Sequence, residues 1–232
     1  MTAVPRQPVL RVVTIIALCA SAAVACGHDS SNTTGPASSA NGFSMAIDSG
    51  SNLQIAVVGH TIHVAVTLAT SNGGSIGGQT ATWLIASGGG TVASSSTVTD
   101  ANGRTSNDWT LGTTSGQNTV SVSAAGVAVT VTATGAADAL HGLIKVSTDS
   151  QTVVASSSTS FVVRAVDQFS NPVPGIDVAW AATAGTLTPA STTTGNSGNA
   201  QVTFTTDVVP TVYTVTATAT GFAPVTFTLT GK

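Results

Sequence analysis

Three stretches of the chain alternate between larger apolar residues and small or polar ones. Ile62, Val64, Val66 and Leu68 are separated by His63, Ala65 and Thr67. Ala200, Val202 and Phe204 are separated by Asn199, Gln201 and Thr203, and Tyr213, Val215 and Ala217 by Thr214 and Thr216. A period of two places every second side chain on one face, so each stretch predicts a strand with one buried face. Gly- and Asn-rich breaks separate the strands, at 71–78, at 88–90, at Asn102-Gly103 and at Ser197-Gly198-Asn199. Several short strands at this spacing predict an all-β sandwich or barrel.

The pattern occurs twice. Trp83 pairs with Trp180, Trp109 with Phe204, Val120-Ser121-Val122 with Val215-Thr216-Ala217, and Gly126 with Gly221. The turn Thr99-Asp100-Ala101-Asn102-Gly103 pairs with Thr194-Gly195-Asn196-Ser197-Gly198. The offset is 97 at the tryptophans and 95 afterwards, which implies a two-residue difference in one loop. Each copy is roughly 90 residues, the size of a small sandwich domain. Two features favour the immunoglobulin-like form. Each copy has one Trp in a strand of its first half, and Tyr213 stands two residues before Val215, the spacing of a tyrosine corner. Val replaces the Cys of antibody domains, and the first copy has Asn118 where the tyrosine would stand. Trp83, Trp109, Trp180, Phe204 and Tyr213 are the expected core aromatics.

The N-terminus reads as an address. Arg6 and Arg11 precede an apolar run from Val12 to Ala25, the layout of a secretory signal. The run is too short to span a bilayer, which takes about 20 apolar residues. Ala23-Val24-Ala25-Cys26 resembles the lipobox of bacterial lipoproteins, with Ala23 where Leu is usual, and that resemblance implies acylation of Cys26. Cys19 fits less well, because Leu18 precedes it. Gly27 rather than Asp follows Cys26, which by the same resemblance implies the outer membrane. The alternative is an ordinary signal peptide with an incidental cysteine. The stretch from Gly27 to Asn41 is rich in Ser, Asn, Gly and Pro, the composition of a flexible tether. The expected organisation is a signal peptide at 1–25, a tether at 26–41, one Ig-like module at 42–135, a join at 136–141 and a second module at 142–232, with the modules end to end.

Composition narrows the possible activities. Charged residues make up 6% of the chain, glutamate is absent, and lysine occurs only at Lys145 and Lys232. The hydrophobic share of 42% still supports a core. Exposed faces should carry hydroxyls rather than charges. Without clustered Lys and Arg there is no footprint for nucleic acid, and no polybasic surface for anionic lipid. Cys19 and Cys26 are the only cysteines, so the modules fold without a disulfide.

Asp167-Gln168-Phe169-Ser170-Asn171-Pro172-Val173-Pro174-Gly175 resembles the bacterial Ig-like domain of group 1 (Big-1), the repeat of invasin and intimin adhesins. Thr194, Gly198 and Ala200 supply the rest of its pattern. In the first copy Thr99, Asp100 and Gly103 match the turn, while Ser71-Asn72-Gly73-Gly74 replaces the Asn-Pro-Val segment. The resemblance implies fold and a surface setting. It does not carry the receptor-binding tip or the outer-membrane barrel of those adhesins. The motif residues read as fold-making: Asn171-Pro172 starts a turn, and Gly175 and Gly198 suit backbone that other residues would strain.

Chemistry is sparse. His60 and His63, three apart on a strand, point to opposite faces and would not share an ion. His28 falls in the tether and His141 in the join. Asp100, Asn102 and Asp108 could be drawn as a calcium loop, but Asp100-x-Asn102-Gly103 reads more plainly as a tight turn, and the second copy has Gly195 and Asn196 there. Asp138 and Asp149 lack the acidic neighbours of a calcium-bridged joint. No nucleophile elbow, phosphate loop or dinucleotide fingerprint appears. The expectation is a protein with no catalytic, cofactor or metal residues. It is a lipid-anchored envelope protein whose modules serve as a surface interaction or spacer element, with an unknown protein or glycan ligand. Carbohydrate binding is the alternative, for which an exposed Phe169 or Phe222 would speak.

Overall fold

The computed structural model describes residues 37–38, 42–208 and 211–232. The signal peptide, Cys26 and His28 lie outside them. Nineteen strands and no helix are present among the described residues. The first ten are β1 (Ala37–Ser38), β2 (Phe43–Ile47), β3 (Gln54–Val57), β4 (Thr61–Thr70), β5 (Thr80–Ser87), β6 (Gly90–Val92), β7 (Ser96–Val98), β8 (Arg104–Leu111), β9 (Gly116–Ala124) and β10 (Val127–Ala136). They form two sheets, ordered β1-β2-β4-β8-β6 and β3-β10-β9-β5-β7. The other nine are β11 (Gly142–Lys145), β12 (Gln151–Val153), β13 (Ser158–Val166), β14 (Asp177–Ala182), β15 (Thr186–Thr188), β16 (Ser191–Thr193), β17 (Asn199–Thr205), β18 (Val212–Thr218) and β19 (Val225–Gly231). Their sheets are β11-β13-β17-β15 and β12-β19-β18-β14-β16.

One apolar cluster fills the space between each pair of sheets, so the chain folds as two Ig-like sandwiches in tandem. In the first cluster Val64, Val66 and Leu68 of β4 and Trp109 of β8 meet Trp83 of β5 and Val120 and Val122 of β9. In the second, Phe161, Val163 and Phe204 meet Trp180, Tyr213 and Val215. The alternation seen in the sequence supplies these inward faces. Tyr213 packs edge-on against Phe204, with ring centroids 5.4 Å apart.

In each sandwich the first strand crosses from one sheet to the other. β2 pairs antiparallel with β4, and the chain then switches so that β3 pairs parallel with β10. β11 and β12 repeat this with β13 and β19. A crossing strand leaves backbone N–H groups on both sheets without ladder partners, and buried N–H groups must be paired. Short side chains at the crossing accept them. Ser51 Oγ takes the amide of Ala65 at 3.0 Å and Ser147 Oγ that of Val162 at 2.9 Å. On the opposite sheet Asn52 Oδ1 takes the amide of Thr132 at 2.9 Å, and Asp149 Oδ1 that of Thr228 at 2.8 Å. Asp149 also receives Lys145 Nζ.

One ordered piece lies in the stretch expected as a tether. Ala37–Ser38 pairs antiparallel with Met45 and Ser44 of β2. The edge of β2 offers unpaired backbone groups, and even a Ser-rich segment gains hydrogen bonds by lying along it.

Two predictions follow from this packing. Trp83 and Trp180 are 2% and 5% exposed, and truncation of either to Ala should cost on the order of 3–5 kcal/mol. Urea denaturation should show both losses, and unchanged curves would mean that neither ring supports its core. The second concerns acid. The Lys145 ammonium, then the amides of Thr228 and Ser150, hold the Asp149 carboxyl at about 2 rather than 3.8. A folded-state value below the unfolded one stabilises fully above the unfolded value and is lost as pH falls through the folded one. Stability should therefore hold at neutral pH and fall from about pH 4 to about pH 2. Asp149→Asn keeps an acceptor for Thr228, as Asn52 does for Thr132, and should flatten that fall in urea titrations. An unchanged acid slope in the variant would contradict the assignment.

Candidate functional site

The motif residues assemble at two loops of each sandwich. Thr99 and Thr194 are buried, 4% exposed each. Thr99 Oγ1 donates to Ile76 O at 2.8 Å and accepts from Gln79 N at 3.0 Å. Thr194 Oγ1 donates to Val173 O at 2.8 Å and accepts from Ile176 N at 2.9 Å. One hydroxyl thus staples the loop that enters β5 or β14. Asp100 Oδ1 accepts the amides of Asn102 and Arg104, which closes the turn between β7 and β8 and commits that oxygen to backbone. Gly103 and Gly198 have φ of +76° and +72°. A Cβ at Gly103 would lie 2.1 Å from Leu68 O, and one at Gly198 2.7 Å from Ala165 O. Those carbonyls belong to residues whose own amides bond to the glycine carbonyls at 2.8 Å in both sandwiches. Ala200 is buried, and Pro172 forms an isolated bridge with Val166. Gly175 adopts φ of +76° where the loop enters β14.

The tyrosine position differs between the copies. Tyr213 Oη accepts the amide of Asp207 at 3.2 Å. Asn118 is fully buried at the equivalent place, and its Oδ1 accepts the amide of Gly112 at 3.1 Å while its Nδ2 donates to Gly116 O. The shorter side chain reaches because glycine lets the backbone come close; a Cβ on Gly88 would sit 2.4 Å from Asn118 Oδ1.

The sequence marks Asp167 and Asn171 as fold-making motif residues, with Asn171 at the start of a turn. Asp167 is 1% exposed and Asn171 5%. Asp167 Oδ1 accepts the amides of Phe169 at 2.9 Å and Asn171 at 2.8 Å. Its Oδ2 accepts Asn171 Nδ2 at 2.8 Å and the amide of Asp138, in the join, at 2.9 Å. Burial pushes this carboxyl up, but the Asn171 side chain and the three amides together hold it below the ordinary range. Asn171 then reaches the first sandwich, with Nδ2 donating to Thr113 O and Oδ1 accepting Ser115 N, both at 2.8 Å. Nothing in the local sequence of 113–115 signals this contact.

The remaining candidates are dispersed. His63 faces Asp108 across the β4–β8 ladder at 2.8 Å, both 59% exposed, a surface pair worth about 0–1 kcal/mol. Among the described residues no three His, Cys, Asp or Glu come together as a metal set. Asp138 contacts Gln168 and Ala139, and Asp149 serves β19, so the two carboxylates near the join do separate work. Phe169 is 41% exposed, while Phe222 is half-buried against the second core. Open clefts flank the last hairpin turn of each sandwich at equivalent positions. Thr80, Thr82 and Ser123 line the first; Leu140, Asp177 and Phe222 line the second.

These loops and sheets define a pair of Ig-like modules. A model of the bacterial Ig-like domain (group 1) matches residues 143–230, the span of the second sandwich. The chain is similar in fold to Yersinia pseudotuberculosis InvD, at 21% identity over 84% of this chain and 58% of InvD, with a TM-score of 0.51. The Escherichia coli adhesin FdeC matches at 19% identity over 82% of this chain and 65% of FdeC, with a TM-score of 0.45. The D0-D1 domain of intimin matches at 20% over 80% of this chain and 94% of the intimin piece, with a TM-score of 0.33. The chain thus spans somewhat over half of InvD. No curated protein matches it by sequence.

The Thr staples can be tested by an isosteric change. Val at 99 or 194 keeps the shape and removes the hydroxyl, leaving a buried amide and a buried carbonyl open. Each change should cost roughly 1–3 kcal/mol. Thermal denaturation of Thr99→Val and Thr194→Val checks this, and a neutral effect at both positions would show that the staple adds nothing.

Proposed function

We propose that the chain is a non-catalytic envelope protein. It is exported, anchored through lipid on Cys26 to the outer membrane, and uses its two Ig-like modules as a surface interaction or spacer element of an adhesion-related kind. The observation that carries this reading is the Big-1 domain at 143–230 standing in a tandem sandwich pair. The lipobox-like Ala23-Val24-Ala25-Cys26 supports the anchor. FdeC, a structural neighbour, is itself described as an adhesin, which fits the adhesion-related setting. In this reading the motif residues 99, 100, 103, 167, 171, 172, 175, 194, 198 and 200 build the modules, and ligand contact falls on exposed faces. A second reading, carbohydrate binding, is favoured by the exposed ring of Phe169.

Anchoring makes a direct prediction. Each buried CH₂ of an acyl chain contributes about 0.8 kcal/mol, and stable attachment takes at least two chains. Expressed in a Gram-negative host, the parent should fractionate with membranes and carry acyl mass on Cys26. Cys26→Ser should be released, or retained only with its signal uncleaved. A parent found soluble and unmodified by mass spectrometry of its N-terminus would end the lipoprotein reading and leave a secreted pair of modules.

A further inference from the structure

We infer that the Asn171 carboxamide is a recognition group that reads the end of the preceding sandwich, and that the two-module unit reads only its own joint. The orientation of the carboxamide follows from its partners. Asp167 Oδ2 only accepts, and the backbone amide of Ser115 only donates, so Nδ2 must face the carboxylate and Oδ1 the amide. That leaves the second N–H of Nδ2 for Thr113 O. A planar group with one donor edge and one acceptor edge is thus matched to a carbonyl and an N–H two residues apart. Asp167 is the positioning residue: it holds the carboxamide while taking the amide of Asp138 from the join. Three segments of the chain, from both sandwiches and the connection between them, meet on two adjacent buried side chains.

The first sandwich builds the same turn without the reader. Thr70 N bonds to Gly74 O at 2.8 Å as Asp167 N bonds to Asn171 O at 3.0 Å, and Gly73 N bonds to Thr70 O as Ser170 N bonds to Asp167 O. Thr70 Oγ1 accepts Gly74 N at 2.9 Å, taking the part that Asp167 Oδ1 plays for Asn171 N. At the reading position, however, stands glycine, which has no side chain to extend. The other half of the code is also missing from the second sandwich. The sequence offset of 95 that relates the two turns pairs Ser115 with Pro210, and proline has no N–H. Head-to-tail contacts that do not close generate filaments. A unit with neither a reader at one end nor a readable amide at the other does not propagate copy to copy through this joint.

The inference does not depend on the anchor; a parent protein lacking lipid would leave it standing. Residual dipolar couplings are measured on the chain without its expected signal peptide, residues 1–25. Amides of both sandwiches should fit one alignment tensor in the parent. Asn171→Ala should lose the common tensor and require two, with each sandwich keeping its own chemical shifts away from the joint. Ser115→Pro, which removes the amide from the other side and leaves the Asp167 turn untouched, should do the same. It also decides the matter if Asn171→Ala unfolds the second sandwich. A parent that already needs two tensors, or a Ser115→Pro chain that keeps one, would overturn the proposal.

Discussion

Backbone amides that the sheets cannot pair are the constraint on which this molecule turns. An Ig-like sandwich breaks its ladders wherever the first strand changes sheets, wherever a loop dips into the core and wherever two modules meet. An amide hydrogen bond contributes only about 0.5–1.5 kcal/mol net, but leaving a buried partner open costs about 1–3 kcal/mol. This chain has few charges and no cysteine within its strands, so ion pairs offset such losses at few places and disulfides at none of the strands. Ser51, Asn52, Thr99, Asn118, Ser147, Thr194 and Asn171 close these gaps with short neutral side chains. The abundance of Ser, Thr and Asn that sets the composition apart is, at these positions, a structural requirement.

The comparison between the copies shows how one requirement is met by different chemistry. Tyr213 reaches Asp207 N across a ring's length, while Asn118 reaches Gly112 N with a much shorter side chain because glycine lets the backbone come close. Asp149 and Asn52 both cap an amide on the last strand, but only Asp149 adds a titratable charge and an ammonium partner. The exchange at Trp109 and Phe204 is less even. Both rings are fully buried, yet the indole N–H of Trp109 has no acceptor among the described residues. Trp83 and Trp180 do place theirs, on Thr97 Oγ1 and Thr192 Oγ1. Phe at the equivalent place in the second sandwich carries no such donor.

What could be read from the sequence divides along the same line. Inward faces are a local property: alternation in β4, β17 and β18 announces them, because a strand cannot turn one residue without turning its neighbours. The doubled Trp and the doubled Thr-x-x-x-Gly turn announce the repeat. The sheet-crossing of the first strand was not legible, since 48–53 shows neither alternation nor a turn signature that distinguishes a crossing from a loop. The pairing of Ala37–Ser38 was hidden for a related reason: an edge recruits backbone whatever its side chains. Asn171 was read as a turn residue because its sequence neighbours are turn residues. Its second role depends on a loop 56 residues away that has no pattern of its own.

An all-β chain with hydroxyl-coated faces and little charge should be prone to pairing edge to edge, since Lys and Glu at edges are the usual guard. Here length is the guard. Every sheet is bounded by short strands: β1 has 2 residues, β6, β7, β12, β15 and β16 have 3 each, and β3 and β11 have 4. The inner strands run from 5 residues in β2 to 10 in β4 and β10. A two- to four-residue edge offers too few backbone groups to template a partner, and the β5–β9 pair is further interrupted by a register shift between Ile85 and Ser87. Short edges also explain why the pairs Thr214–Thr228, Thr216–Thr226 and Ser121–Thr130 stand on inner strands. There the threonine and serine hydroxyls pack against a cross-strand neighbour and stay wet, without lying along an exposed ladder. The scarcity of charge is therefore tolerated by topology: the long faces are polar with few charges, and the edges are too short to need guarding.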